Sequence, residues 1–184
     1  IENARLHEEE HYRLAEAERR NRELSALHGV AAAISSSLDL NTVLDEALVQ
    51  ALKAADMEAG GVYLLDESGT WLTLRVQHKL ERDFVSKAGR LMADQGLSAQ
   101  VARTGQPYAS EDLAADIHLV QSTFADREWL LRTGYRSGVL VPLLAHGRLM
   151  GTFFGLSRQP YRFAPADLRL LAAIGEEMGV AVEN

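Results

Sequence analysis

The chain reads as an α+β domain: an antiparallel sheet of about five to six strands with helices on both faces, preceded by a long N-terminal helix. Three observations predict this. Apolar residues recur with helical spacing near both ends of the 184 residues, the middle alternates with period two, and two short turns, Asp66-Glu67-Ser68-Gly69 and His146-Gly147, each join a pair of strand-like runs.

From Ile1 to His28 there is no Gly or Pro, and Ala, Leu, Glu, Arg, His and Asn dominate. Such a run is a helix written in charge. Glu16/Arg20 and Glu18/Arg22 stand at i,i+4 with the acid first, the better orientation for pairing on a helix surface. A 3-4 seam passes through His7, Glu10, Leu14, Ala17, Asn21, Leu24, His28 and Ala31. Half of it is apolar, so two readings stand: a weak two-stranded coiled coil, with Asn21 favouring in-register pairing, or a solvated single helix. A stronger stripe, Leu24, Leu27, Ala31, Ile34 and Leu38, runs into Ser35-Ser36-Ser37 and Asp39, which supply turn and cap chemistry. Leu40, Val43, Leu44, Ala47, Leu48, Ala51 and Leu52 then predict an amphipathic core helix with Asp39 or Asn41 as N-cap.

After Gly60-Gly61 the period changes. VYLLDESGTWLTLRVQHKL reads as a hairpin with Trp71, Thr73, Arg75 and Gln77 on one face and Leu72, Leu74 and Val76 on the other. GLSAQVARTG is a short helix closed by Gly105, and a short strand follows Pro107. Residues 111–132 show weak periodicity and read as helix or loop. SGVLVPLLAHGRLMGTFFGLSR is a second, strongly apolar hairpin, and Pro165 and Asp167 open a last helix through Leu168, Leu171, Gly175, Met178 and Val182.

Composition narrows the function. The chain is 47% hydrophobic and 24% charged, which suits one globular domain with a full core plus an extra element. With no cysteine, thiol catalysis, thiolate zinc sites and thioether-linked cofactors drop out. A net charge of -7 lacks the basic footprint of a nucleic-acid binder, and Arg19, Arg20 and Arg22 are matched by Glu16, Glu18 and Glu23. No apolar run approaches the length of a membrane span, and the charged N-terminal stretch is unlike a signal peptide. The segment is therefore expected to be cytoplasmic.

His7-Glu8-Glu9-Glu10-His11 fits the HExxH spacing of zinc proteases. That chemistry needs a third ligand and a dry pocket around the glutamate. Here the helix is too polar to bury, and both histidines read as solvated. The stretch also shares a His-Glu pair with histidine-kinase phosphoacceptor helices, without the hydrophobic and proline positions that follow in that motif.

Taken in order, SSLDLNTVLDEAL, GGVYLLDESG, QGLSAQVARTGQP, GYRSGVLVPLLAHGRLMGTFFGLS and RFAPADLRLLAAIGEEMGVAVEN resemble the GAF domain of sensor and signalling proteins, over about Leu24 to Asn184. Ala99 stands where a second glycine is usual in that family, and Ala164 where a Ser or Thr cap is usual. Such domains end in a phrase like AIENARL, so Ile1-Glu2-Asn3 looks like the tail of a preceding domain and Val182-Glu183-Asn184 like the same position one domain later. The expected division is a linking helix over 1–22 and a GAF domain over 23–184.

The resemblance implies a regulatory sensory module, not an enzyme: a domain that binds a small ligand, or relays a neighbour's signal through dimerising end helices, to an output such as a histidine kinase of a two-component system or a nucleotide cyclase. The alternative is a ligand-free structural relay between domains. Haem-binding relatives carry a histidine before the VLVP strand, where this chain has WLLRTGYRS, and the bilin-binding and sulfoxide-reductase branches use cysteines. No haem, bilin or zinc is therefore expected. The Asn-Lys…Phe…Asp-Glu signature of cyclic-nucleotide binders is also missing. In a GAF-like arrangement the cavity lies between the sheet and residues 111–132, with Tyr63, Asp112, His118, Phe124, Trp129 and Arg136 lining or gating it. The apolar stripes at the ends predict a parallel homodimer through Leu14, Asn21, Leu24, Leu27, Ala31, Ile34, Leu168, Leu171, Gly175, Met178 and Val182.

Overall fold

The computed structural model describes residues 12–13, 15–27, 29, 40–116 and 132–184. Residues 15–27 are helical and form α1. The other elements, in chain order, are α2 (Leu40–Ala54), β1 (Ala59–Leu65), β2 (Trp71–His78), α3 (Arg82–Ala88), β3 (Arg90–Met92), α4 (Gly96–Thr104), β4 (Tyr108–Ser110), β5 (Ser137–Ala145), β6 (Arg148–Ser157) and α5 (Pro165–Glu183). One antiparallel six-stranded sheet runs β3-β2-β1-β6-β5-β4.

Both hairpin turns form as the sequence predicts. Asp66 ties the first by accepting hydrogen bonds from Thr70 N, Trp71 N and the Ser68 hydroxyl, each at 3.0 Å. These donors, the Trp71 amide first, hold its carboxyl below the usual range. At the second turn His146 (φ 51°) and Gly147 (φ 79°) both take the left-handed conformation that a two-residue hairpin loop needs. The predicted helix after Gln95 closes at Gly105 (φ 63°), whose N–H bonds to Val101 O.

Three details differ from the sequence reading. Gly60 and Gly61 lie inside β1, because its pairing with β6 leaves no room for side chains: a Cβ on Gly60 would meet the Phe154 carbonyl. Asn41 lies within the first turn of α2 instead of capping it, and Asp39 is outside the described residues. In β2, Val62 pairs with Val76 but Tyr63 pairs with Leu74, so Arg75 is an extra residue. The bulge turns Val76 to the opposite face from Leu72 and Leu74.

The sheet separates two cores. Against one face lie α2 and α5, burying Leu44, Leu48, Leu52, Leu171, Ile174 and Met178 on Val62, Val139, Val141, Leu143 and Phe153. Against the other lie α3, α4 and the connections at Leu113 and Tyr135, which meet Tyr63, Leu72, Leu140, Phe154 and Leu156. Adjacent residues of one strand, Val62 and Tyr63 or Val139 and Leu140, therefore belong to different cores.

α5 lies close against the sheet. A Cβ on Gly175 would come within 2.5 Å of the Pro142 carbonyl oxygen, and one on Gly179 would collide with the backbone of Leu144. Pro142 is tolerated in β5 because β4 pairs no further along it than Leu140. At the helix start Ala164 has no side-chain oxygen, but Asp167 accepts its N–H at 2.8 Å and Pro165 sets the first helical φ.

Candidate functional site

The face beneath α3 and α4 carries the candidate site. Tyr63 is fully buried in it, its ring 5.6 Å from that of Phe154, and its hydroxyl donates to Ala88 O at 2.6 Å. Burial pushes the phenol up, so it stays protonated. Tyr63 thus braces the sheet against the end of α3.

Its cross-strand partner in β6 is Thr152, which also faces Pro142 of β5. Thr152 is fully buried, and its Oγ1 has no hydrogen-bond partner among the described residues. A hydroxyl left in that state costs about 1–3 kcal/mol.

The edge of this face is charged. Tyr108 donates to Asp116 Oδ2 at 2.6 Å, and burial, then that carboxylate, raises its phenol. Asp112 and Arg136 approach to 3.8 Å, while Leu113 N donates to Arg136 O at 2.7 Å. Two of the predicted residues, far apart in sequence, are therefore brought together. Arg136 is exposed and Asp112 half-buried, and they sit at a loop junction. His118, Phe124 and Trp129 lie outside the described residues, as do His7, His11, Leu14, Ala31 and Ile34.

Sequence reasoning did not find a second cluster. Glu58, just before β1, accepts hydrogen bonds from Arg158 N at 2.9 Å and from Arg158 Nη1 at 3.1 Å. The backbone bond is the main reason its carboxyl is held below the usual range. The same guanidinium covers the Tyr135 ring at 4.6 Å and donates to Thr133 O. One hundred residues separate Glu58 from Arg158; only sheet pairing joins them.

The predicted interface residues divide. Leu171 and Met178 are buried, and Gly175 presses on β5, so the subunit's own sheet uses the part of the stripe assigned to a partner. The reason is that α5 has a sheet beneath it. Leu27, Leu168 and Val182 are half-buried against the same core. Asn21 and Leu24 remain exposed, Leu24 at 55%.

Similarity places this architecture. The GAF domain family matches residues 37–183. The chain belongs to that family. Among solved structures, the GAF domain of the Acinetobacter phosphoenolpyruvate-protein phosphotransferase is 21% identical, with a TM-score of 0.70 over 89% of this chain and 93% of that one. The corresponding GAF domain from Coxiella burnetii is 17% identical, with a TM-score of 0.73 over 88% and 93%. The free methionine-R-sulfoxide reductase of Neisseria meningitidis, solved with its substrate, is 19% identical, with a TM-score of 0.67 over 88% of each chain. At these identities the likeness is one of fold. No curated protein matches the chain.

Among the described residues no three His, Asp or Glu side chains gather to hold a metal ion, and no helix is long and apolar enough to cross a membrane.

Proposed function

We propose that this GAF domain is a regulatory sensory module, cytoplasmic and homodimeric, which receives a small ligand on the sheet face beneath α3 and α4 and reports it through the terminal helices. The observation that carries the reading is Thr152: a buried hydroxyl with no partner among the described residues, on the sheet face opposite α2 and α5. β1 and β5 place neighbouring residues in both cores, so a group that reorders one face loads the other through Val62/Tyr63 and Val139/Leu140. Tyr63, Asp112, His118, Phe124, Trp129 and Arg136 are the proposed lining or gating residues. Asp112 and Arg136 would act as a gate at the loop junction.

The remaining stripe, with Asn21, Leu24, Leu27, Leu168 and Val182, together with Leu14, Ala31 and Ile34, is the proposed parallel dimer contact. Residues 1–22 would link to a preceding domain, and the output would be an enzyme such as a histidine kinase or nucleotide cyclase. Catalysis would reside there. The sulfoxide reductase shares the fold, but the family resemblance implies cysteines for that branch, and this chain has none.

Tyr63 favours a second reading, a ligand-free structural relay, because it already fills its part of the face and satisfies its hydroxyl. Native mass spectrometry of the chain as purified separates the two. A retained small molecule that is lost in Thr152→Val supports the sensor. A single unliganded mass, with Thr152→Val more stable than the parent, supports the relay.

A further inference from the structure

We propose that a second binding site, on the α2 side of the sheet and independent of the face discussed above, takes a small organic monocarboxylate with an apolar body. Three central strands end side by side in the order β2-β1-β6, bringing together Lys79, Glu58 and Arg158. The end of α2 closes over them. The result is a cleft of about 450 Å³ whose lining includes Leu52, Met57, Lys53, Asp56, Lys79 and Arg158. That volume is within the range of small-molecule sites.

The floor is apolar and fixed. Leu52 and Met57 are buried, and both pack so near Gly155 that a Cβ there would crowd them. The rim is charged and unbalanced. Arg158 is engaged by Glu58 at 3.1 Å, which neutralises that pair. Lys53 and Lys79 have no ion pair among the described residues, and Asp56 is the only other acid in the lining. Two ammonium groups against one carboxylate leave a positive balance, partly offset by the carbonyl end of α2, which suits an anion of low charge, and the apolar floor favours one with an apolar body.

The backbone adds a separate observation. Asp56 and Lys79 both have φ of 55°, and His146 in the distant hairpin turn is the only other non-glycine residue with positive φ among those described. At Asp56 the cause is a helix end: Asp56 N bonds Lys53 O and Met57 N bonds Leu52 O, the pattern that glycine normally closes. Glycine would adopt either conformation without strain. A charged side chain instead occupies both positions, and both line the same cleft.

Titration of the 184-residue chain followed by amide NMR tests the site, with 4-methylpentanoate, acetate and inorganic phosphate as probes. Saturable shifts confined to residues 52–59, 78–80 and 158 are expected with 4-methylpentanoate, with acetate at least tenfold weaker for want of contact with Leu52 and Met57. Lys53→Ala/Lys79→Ala should weaken binding tenfold or more at an unchanged melting temperature. Asp56→Asn, which tolerates the same backbone conformation, should let phosphate compete. Phosphate binding best to the parent chain, equal affinity in the double-lysine variant, or no saturable shift with any probe would overturn the proposal.

Discussion

At the scale of single residues, two side chains report how local chemistry is met from unexpected quarters. Ala164 occupies the N-cap of α5 with φ -70° and ψ 153°, the geometry of a capping residue without the oxygen. Asp167 compensates by accepting the Ala164 N–H. Ala164→Ser should therefore add roughly 0.5–1 kcal/mol in urea denaturation, and Asp167→Ala should remove a similar amount. Glu58 gives a pH prediction. Its folded-state carboxyl lies below the unfolded value, so the stability it contributes is present above the unfolded pKa and is lost as pH falls through the folded one. Part exposure of Glu58 and Arg158 keeps the effect small. In thermal melts between about pH 5 and 3, Glu58→Gln should lose less stability on acidification than the parent. An identical acid limb in both would show that the Arg158 contact contributes nothing.

At the scale of elements, the seating of α5 on β5 is set by what is missing at Gly175 and Gly179. The helix needs backbone against backbone there, and a methyl group has nowhere to go. Gly179→Ala should cost about 2 kcal/mol or more through overpacking, despite its better helix propensity. A gain in melting temperature would mean that the helix can rise off the sheet freely. The same contact explains the divided fate of the predicted interface. An apolar stripe at helical spacing states that a face is buried, not against what, and α5 satisfied Leu171, Gly175 and Met178 within the subunit. Short elements were the least legible. α3 and β3, of seven and three residues, offer too few positions for any period to emerge, and they form because Phe84 and Ala88 complete the second core and Leu72 pairs with Leu91.

At the scale of the whole molecule, one sheet with a core on either side makes a relay physically possible, since each central strand belongs to both. If the sensor reading holds, hydrogen exchange with a bound ligand should slow first around residues 111–116 and 132–136 and, more weakly, in α2 and near Val182. A coupling energy of about 1–3 kcal/mol is the usual size of such an effect. Protection restricted to the end helices would favour the structural relay. Exposed Leu24 bears on assembly. Light scattering should show a dimer for the full chain, a weaker one for a chain starting at Glu23, and further weakening for Leu24→Asp. A monomer at high concentration in all three would defeat the dimer.

The amino-acid sequence by itself determined the fold class, both hairpins and the span of α2, α4 and α5, because hydrophobic period, turn chemistry and helix ends are local properties of a few neighbouring residues. It also determined the family, through five segments in order. Only the tertiary structure decided that Arg75 bulges and turns Val76 to the α2 side, that Tyr63 is hydrogen-bonded to Ala88, that Thr152 has no such partner, and that Glu58 meets Arg158 across one hundred residues. Each of these depends on strand register and on which layer covers a face. Register is fixed by contacts between segments distant in the chain, and no local spacing records them.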